Sequence, residues 1–378
     1  MAPCELCLSM SAFWPLWVAV AFAVTAAGAI AWIRHWRNRL TAPVRYDAHH
    51  RLTTDDGCAC ALDRLLPNAD APGAADLPPV LIVHGLAINQ RNCDAFDDLS
   101  LARDLRAAGR DVWLLTLRSG LHDLTWRQRQ KVCFAAMADQ DVPLAVAEVR
   151  SRTGADRLDL IGFSMGGMLL YGSLGRSVDP AHVRRVVIYG SPGMVRIPIW
   201  PLSKLRLPVF FAWLAPRMPY RALGGLLAPF VDWYTTPLHR IPYNPDNVAK
   251  GRTASVLVDA IEDVPWALHR DFARWAITDG EIRVGNMRAL DSLRGLTTPV
   301  RFFAGAVDGL APPPSVALAF AAWGASVMAP GAVDKTLHVL GRATGCVHDY
   351  GHGDLMFGSR AGAEVFPPAI AFLQESDR

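Results

Sequence analysis

The run Leu158-Asp159-Leu160-Ile161 leads directly into Gly162-Phe163-Ser164-Met165-Gly166-Gly167 and then Met168-Leu169-Leu170-Tyr171. A short apolar run bounded by glycine reads as a strand, and the apolar stretch after the glycines reads as a helix. A serine in a G-x-S-x-G turn between the two is held in a strained backbone, and the glycines prevent clashes with neighbouring chain. That geometry lifts the hydroxyl to the edge of a sheet at a helix N-terminus. Ser164 is therefore read as a nucleophile.

Three further segments supply its partners. His84-Gly85-Leu86 follows the apolar run Val80–Val83. Glycine there lets the chain turn so that a backbone N–H faces the serine, which assigns Leu86 and Met165 as the two N–H donors of an oxyanion hole. His84 is expected to orient this loop rather than carry a proton. Gly305-Ala306-Val307-Asp308-Gly309 follows the run Val300–Ala304 and offers an acid at a strand's C-terminal end. Asp349-Tyr350-Gly351-His352-Gly353-Asp354-Leu355 puts a histidine in a glycine-flanked loop. His338 falls inside a predicted strand and His348 lacks the close glycines, so His352 is the expected base. The chain order Ser164, Asp308, His352 is one that serine hydrolases use.

The surrounding chain alternates strands and helices. Val44–His50 and Cys58–Leu65 read as strands joined by a tight Asp-Gly reversal. Further strands are expected at 80–83, 112–116, 158–161, 185–189, 300–304 and 336–340, with helices such as 100–108 and 142–152 between them. Unbroken apolar strands with helical crossovers predict an α/β fold, a mostly parallel sheet with helices on both faces. Between Pro192 and about Leu293 the strands stop. Pro198, Pro201, Pro208, Pro216, Pro219 and Pro229 punctuate a run rich in leucine, tryptophan and phenylalanine. This interval is expected to form an inserted helical cap. The expected organisation is an N-terminal segment 1–40, core 41–192, cap 193–293 and core 294–378.

No residue from Leu6 to Ile33 carries a formal charge, and Phe13–Ile33 is almost continuously apolar. At about 1.5 Å per residue this run would span the roughly 30 Å hydrocarbon layer as an N-terminal transmembrane helix. Trp14 and Trp17 stand near one end and Trp32 and Trp36 near the other, as membrane interfaces favour. Arg34, Arg37 and Arg39 follow at once, so the positive-inside rule predicts a cytoplasmic body. The alternative is a secreted protein with a cleaved signal, Ala29-x-Ala31 serving as the cleavage site. A signal needs a basic start and a shorter apolar core, and this segment has neither.

Composition narrows the remaining classes. The chain is 51% hydrophobic and 19% charged over 378 residues, too apolar for disorder and long enough for a large core. A net charge of +3 with scattered arginines predicts no nucleic-acid partner. The pairs Cys4-x-x-Cys7 and Cys58-x-Cys60 lie far apart with no histidine at zinc-site spacing, so free thiols are expected rather than a metal.

With these motifs in place the sequence resembles the α/β-hydrolases, and within them the acid lipases of the gastric and lysosomal group. The similar segments are TTDDGCACALDRLLP at 53–67, HGL at 84–86, SLARDLRAAGRDVWLLTLRSG at 100–120, MADQDVPLAV at 137–146 and YGHGDLMFG at 350–358. Phe163 stands where that group usually has histidine, and the 193–293 insertion does not look like its cap. The resemblance implies a serine carboxylic-ester hydrolase acting through an acyl-enzyme on an apolar small-molecule or lipid ester, with no cofactor. Ile88-Asn89 with Leu99-Ser100 also resembles the polyhydroxyalkanoate synthases, which use cysteine where this chain has Ser164. Acyl transfer and thioester hydrolysis are thus alternative activities. A binding protein on the same fold is a third reading, but such a protein is expected to lose a triad member. The cap residues Trp200, Phe210, Phe211, Trp213, Leu214, Phe230 and Trp233 either pack in a core or, where exposed, suit a bilayer or an acyl chain.

Overall fold

The computed structural model describes residues 5–68, 71, 77–196, 217–233, 235–327 and 333–376. Eight strands form one sheet: β1 (Ala48–Thr53), β2 (Ala59–Leu65), β3 (Val80–Val83), β4 (Val112–Thr116), β5 (Leu158–Phe163), β6 (Val183–Tyr189), β7 (Val300–Gly305) and β8 (Lys335–Leu340). Their order is β1-β2-β4-β3-β5-β6-β7-β8. The β1–β2 and β2–β4 pairs are antiparallel, and every pair from β4 to β8 is parallel.

Side-chain alternation along the strands builds two cores, one on each face. Leu81, Val83, Leu160 and Phe302 point to the face covered by α3 (Val142–Thr153), α4 (Met165–Ser173) and α8 (Pro313–Ala322). Val80, Ile82, Ile161 and Phe303 point to the face covered by α2 (Leu101–Ala107) and α9 (Phe366–Gln374). Central strands buried on both faces are unbroken apolar runs, which is why β3 and β4 coincide with the predicted intervals. The first strand differs. It begins at Ala48 rather than Val44: the Asp47 N–H still donates to the Arg64 carbonyl of β2 at 2.9 Å, but the chain just upstream of Val44 is held elsewhere. Ala42 N–H donates to Asp259 at 3.0 Å, Ala42 carbonyl accepts from Arg91, and Pro43 has no N–H to give.

Chain reversal around β3 positions the site. From β3 the chain crosses to β4 on one side and then returns to β5 on the other. Loops leaving the C-terminal ends of β3 and β5 therefore diverge and leave a crevice between them, the usual place for a ligand in such sheets.

Between β6 and β7 lie α5 (Tyr220–Leu227), α6 (Arg252–Asp259) and α7 (Trp266–Ile277). The interval also holds strand pairs the sequence did not disclose: Arg217–Met218 with Val264–Pro265, and Arg283–Val284 with Met287–Arg288. Two-residue strands are too short to carry an alternation. Trp200, Phe210, Phe211, Trp213 and Leu214 lie outside the described residues.

The N-terminal segment is one helix, α1 (Glu5–Leu40). Its Trp14–Leu40 portion is long and apolar enough to cross a membrane, a property that anchors and signal sequences share.

At the opposite end of the sheet from the crevice, β5 is held by buried charge. Asp159 is fully buried and accepts from Arg184 Nε at 3.0 Å and Nη2 at 2.6 Å, and also from the fully buried Arg110. Both guanidiniums also reach the Leu373 carbonyl near the end of α9. Removing one partner of such a cluster strands the others in low dielectric. Asp159→Ala is expected to lower unfolding stability by about 3–5 kcal/mol, read from urea denaturation, whereas a loss within experimental error would show that water replaces the carboxylate.

Candidate active site

Ser164 sits between β5 and α4 with φ 54° and ψ −120°, a conformation that a residue with a Cβ rarely adopts. Its N–H donates to the Tyr189 carbonyl at 2.8 Å, and its own carbonyl accepts from Met168 at 3.2 Å. The turn closes only because α4 approaches β3 with nothing between them. A Cβ on Gly166 would stand 2.0 Å from the Val83 carbonyl oxygen.

The three residues singled out for proton transfer form one hydrogen-bonded run. His352 Nε2 lies 2.9 Å from Ser164 Oγ, and His352 Nδ1 lies 2.8 Å from Asp308 Oδ2. The second Asp308 oxygen accepts the Leu310 and Ala311 N–H groups at 2.8 and 2.7 Å. With Nδ1–H donating to the carboxylate, Nε2 is left to accept the serine proton. Asp308 is 3% exposed and His352 6%, so little water competes for these bonds. Phe163 packs beside the imidazole at 5.0 Å between ring centroids. His338, in β8, instead stacks on Phe303 of β7, and the hydrogen bonds to Ser164 and Asp308 are made by His352 rather than His348.

Leu86 and Met165 stand on the two sides of this serine. Met165 opens α4 directly after it. The β3 loop passes close on the other side, where a Cβ on Gly85 would lie 2.9 Å from Ser164 Cβ. His84 is fully enclosed beneath the loop. Its Nδ1 bonds the Gly85 carbonyl at 2.9 Å and its Nε2 accepts the Leu117 N–H at 3.1 Å, which requires a neutral ring. Burial pushes its pKa down to about 4.

Two polar clusters around the site carry no sequence signal of their own. Asp354, two residues after the histidine, accepts from the N–H groups of Asn244 and Gly351 and from Asn247 Nδ2, each at 3.0 Å. Burial raises its pKa, while these donors oppose the shift. Gly353 N–H donates to the Pro242 carbonyl at 2.7 Å, and Asn244 Nδ2 donates to the Asp349 carbonyl at 2.7 Å. The histidine loop is thus stitched to residues 242–247. Glu262 does the same for the β3 loop. It accepts from Asn89 at 2.8 Å and from Arg221 at 2.6 Å, while its N–H donates to the Ala87 carbonyl at 2.8 Å. Ala87 has φ 59°, a strained value for alanine. Asp354 stands within the glycine-flanked histidine segment without a role assigned to it, and the asparagines and Glu262 lie in irregular chain with no period to mark them.

Among the described residues, no group of three or more His, Cys, Asp or Glu side chains is placed to hold a metal. Cys58, Cys60, Cys93, Cys133 and Cys346 are free thiols, and burial pushes Cys93 up to about 12. A cleft of about 340 Å³ lies between Gly193, Arg294 and Leu318, and none of Ser164, Asp308 and His352 lines it.

Comparison with known proteins agrees with this geometry at the level of fold. Residues 78–327 match the family model described as alpha/beta hydrolase fold. A protein described as a probable lipase from Schizosaccharomyces pombe is 28% identical over 127 residues, a stretch covering 31% of this chain and 28% of that protein. An esterase from a Rhodococcus species superposes with a TM-score of 0.53 at 16% identity, covering 86% of this chain and 98% of its own. An esterase from Exiguobacterium antarcticum gives 0.53 at 14% identity, with 86% and 99% covered. A structure described as a membrane phospholipase A, a bacterial virulence factor, gives 0.51 at 15% identity, with 98% and 99% covered.

The neutral His84 ties stability to pH. Its folded pKa of about 4 lies below the ordinary 6.5, so the unfolded chain binds a proton that the native one refuses. The resulting stability is present above about 6.5 and is lost as pH falls toward 4, by about 3 kcal/mol in all. Urea midpoints between pH 7 and 4 are expected to fall more steeply for the wild type than for His84→Asn, and parallel slopes would contradict the assignment.

Proposed function

Since the chain belongs to the alpha/beta hydrolase fold family, we propose that it is a serine ester hydrolase of the esterase and lipase kind, working through an acyl-enzyme. The observation that carries this reading is the hydrogen-bonded run from Ser164 through His352 to Asp308, built on a serine with φ 54°. His352 takes the proton as Ser164 Oγ attacks the ester carbonyl, and Asp308 holds the imidazolium that forms. The N–H groups of Leu86 and Met165 receive the developing oxyanion, each contributing on the order of 3 kcal/mol to the barrier lowering. His352 returns the proton to the leaving alkoxide, then activates the water that releases the acid.

The substrate we propose is an apolar ester, in keeping with the acid-lipase-like segments and the lipase relative. Residues 193–293 act as a cap inserted into a core made of 41–192 and 294–378. Residues 1–40 act as a retained anchor, with the arginines after Ile33 keeping the body on the cytoplasmic side.

Ser164→Ala is expected to stay folded while losing ester hydrolysis by a factor on the order of 10⁵–10⁶ and losing fluorophosphonate labelling. Retained labelling would remove Ser164 from the mechanism. His352→Ala is expected to fall nearly as far and Asp308→Asn by roughly 10⁴, because triad members act as a unit. His348→Ala is expected to keep its rate, and a severe loss there would mean a different histidine serves as base. A panel of p-nitrophenyl esters from short to long chain sets the acyl preference. Faster turnover of hydroxyacyl thioesters without release to water would identify an acyltransferase instead.

A further inference from the structure

The inner face of α5 is filled by the chain itself. Gly224 packs against Leu257 of α6, and Gly225 against Ile33 of α1. Among the described residues, the outer face has little such cover, Trp32 on Phe230 being the contact it makes with α1. Leu223, Leu226 and Leu227 are exposed there, and the turn that follows adds Phe230 and Trp233, the latter 80% exposed. Five apolar side chains spaced three, one, three and three residues apart share one side of a helix and its continuation. Patches of this kind mark an interaction surface rather than ordinary exposure.

The contacts of α1 say what covers it. The Trp32 ring stacks on Phe230 at 5.9 Å, its Nε1 donates to the Leu226 carbonyl at 3.3 Å, and Phe230 meets Trp233 edge-on at 5.8 Å. Further along, Arg37 donates to the Val258 carbonyl at 3.2 Å. Upstream of Trp32, by contrast, Trp14, Trp17, Phe22, Val24 and Ile30 are exposed. A spanning helix places its terminal tryptophans at the level where headgroups meet acyl chains. Whatever touches Trp32 lies at that level as well, so Phe230 and Trp233 reach the same depth.

We infer that the outer face of α5 and its extension to Trp233 is a lipid-docking surface, seated in the leaflet that α1 enters. The inference rests on reading α1 as a retained anchor. An amphipathic helix lying in the interface buries its apolar side by several ångströms while its other side remains with the protein. Docking of α5 also fixes the outer end of a short polar relay. Arg221 of α5 and Asn89 of the β3 loop both donate to Glu262, so the membrane-facing helix and the loop bearing Leu86 share one carboxylate.

The test uses the full chain reconstituted into phosphatidylcholine vesicles that contain a lipid with a diazirine on its acyl chain. After irradiation and digestion, adducts are expected both in 14–31 and in 220–233. Adducts confined to 14–31 would overturn the docking surface and leave the anchor standing. Adducts confined to 220–233 would remove the anchor and with it the placement inferred here, leaving a lipid contact of another kind, and adducts in neither would remove both. A covalent link between two copies through 220–233 in place of lipid adducts would assign the face to a second chain. The double variant Leu227→Ser/Trp233→Ser is expected to lose about fivefold or more on a long-chain ester dispersed in vesicles while staying within about twofold on a water-soluble ester. Unchanged rates on both esters would contradict the inference. Parallel loss on both would mark misfolding, and the labelling, which needs no variant, then decides.

Discussion

The contact between α4 and the end of β3 is the constraint on which the rest depends. No side chain separates them, and a Cβ on residue 166 would lie 2.0 Å from the Val83 carbonyl oxygen, far inside contact distance. Because the helix begins so close to the strand, the residue before it must take φ 54°, and that residue is Ser164. The same approach brings the β3 loop beside the serine. The remaining groups arrive from farther along the chain: Asp308 from the loop after β7, and His352 from the loop after β8. Each depends on its strand holding register with the next, and those parallel registers run without interruption from β6 to β8.

How much was legible in the sequence follows from which forces leave a period behind. Strands β3 and β4 are buried on both faces, so each is a bare apolar run with clear ends. The serine turn and the two loops holding Asp308 and His352 were legible because glycine marks tight geometry wherever it is required. Segments whose position is set by distant polar partners were not. Val44–His50 reads as one strand by composition, yet β1 begins only at Ala48, and the Ala42 backbone just upstream bonds Asp259 and Arg91. Asn244, Asn247 and Glu262 act through single contacts across the fold, and one contact has no periodicity to detect.

Charge is used very differently at the two ends of the sheet. Away from the crevice, Asp159 binds Arg110 and Arg184, and the two arginines also reach the carbonyl end of α9. Nearer the site, buried Arg118 bonds Asp141 at 2.8 Å and Asp56 at 2.6 Å. Burial raises the Asp141 pKa to about 6, against the pull of Arg118. At Asp56 burial also acts upward, but the donors from Arg118, Thr54 and Cys58 prevail and hold it at about 2. Arginine dominates the basic residues of this chain, and its planar fork suits such multiply bonded, enclosed positions better than lysine would. These clusters fix strands and loops; none touches the serine.

The stitching of residues 242–247 to the histidine loop bears on how this protein can be divided. Pro242, Asn244 and Asn247 lie in the chain between β6 and β7, yet they hold Gly353 and Asp354 directly beside His352. That interval is therefore not a detachable module laid over a finished core. A chimera that exchanged the whole of 193–293 would carry off the residues that hold the His352 loop, whereas one that left 242–247 in place would retain them. Sequence drift in this interval is confined in the same way. Its surfaces away from such contacts are open to change, while this short stem is bound to a loop a hundred residues downstream.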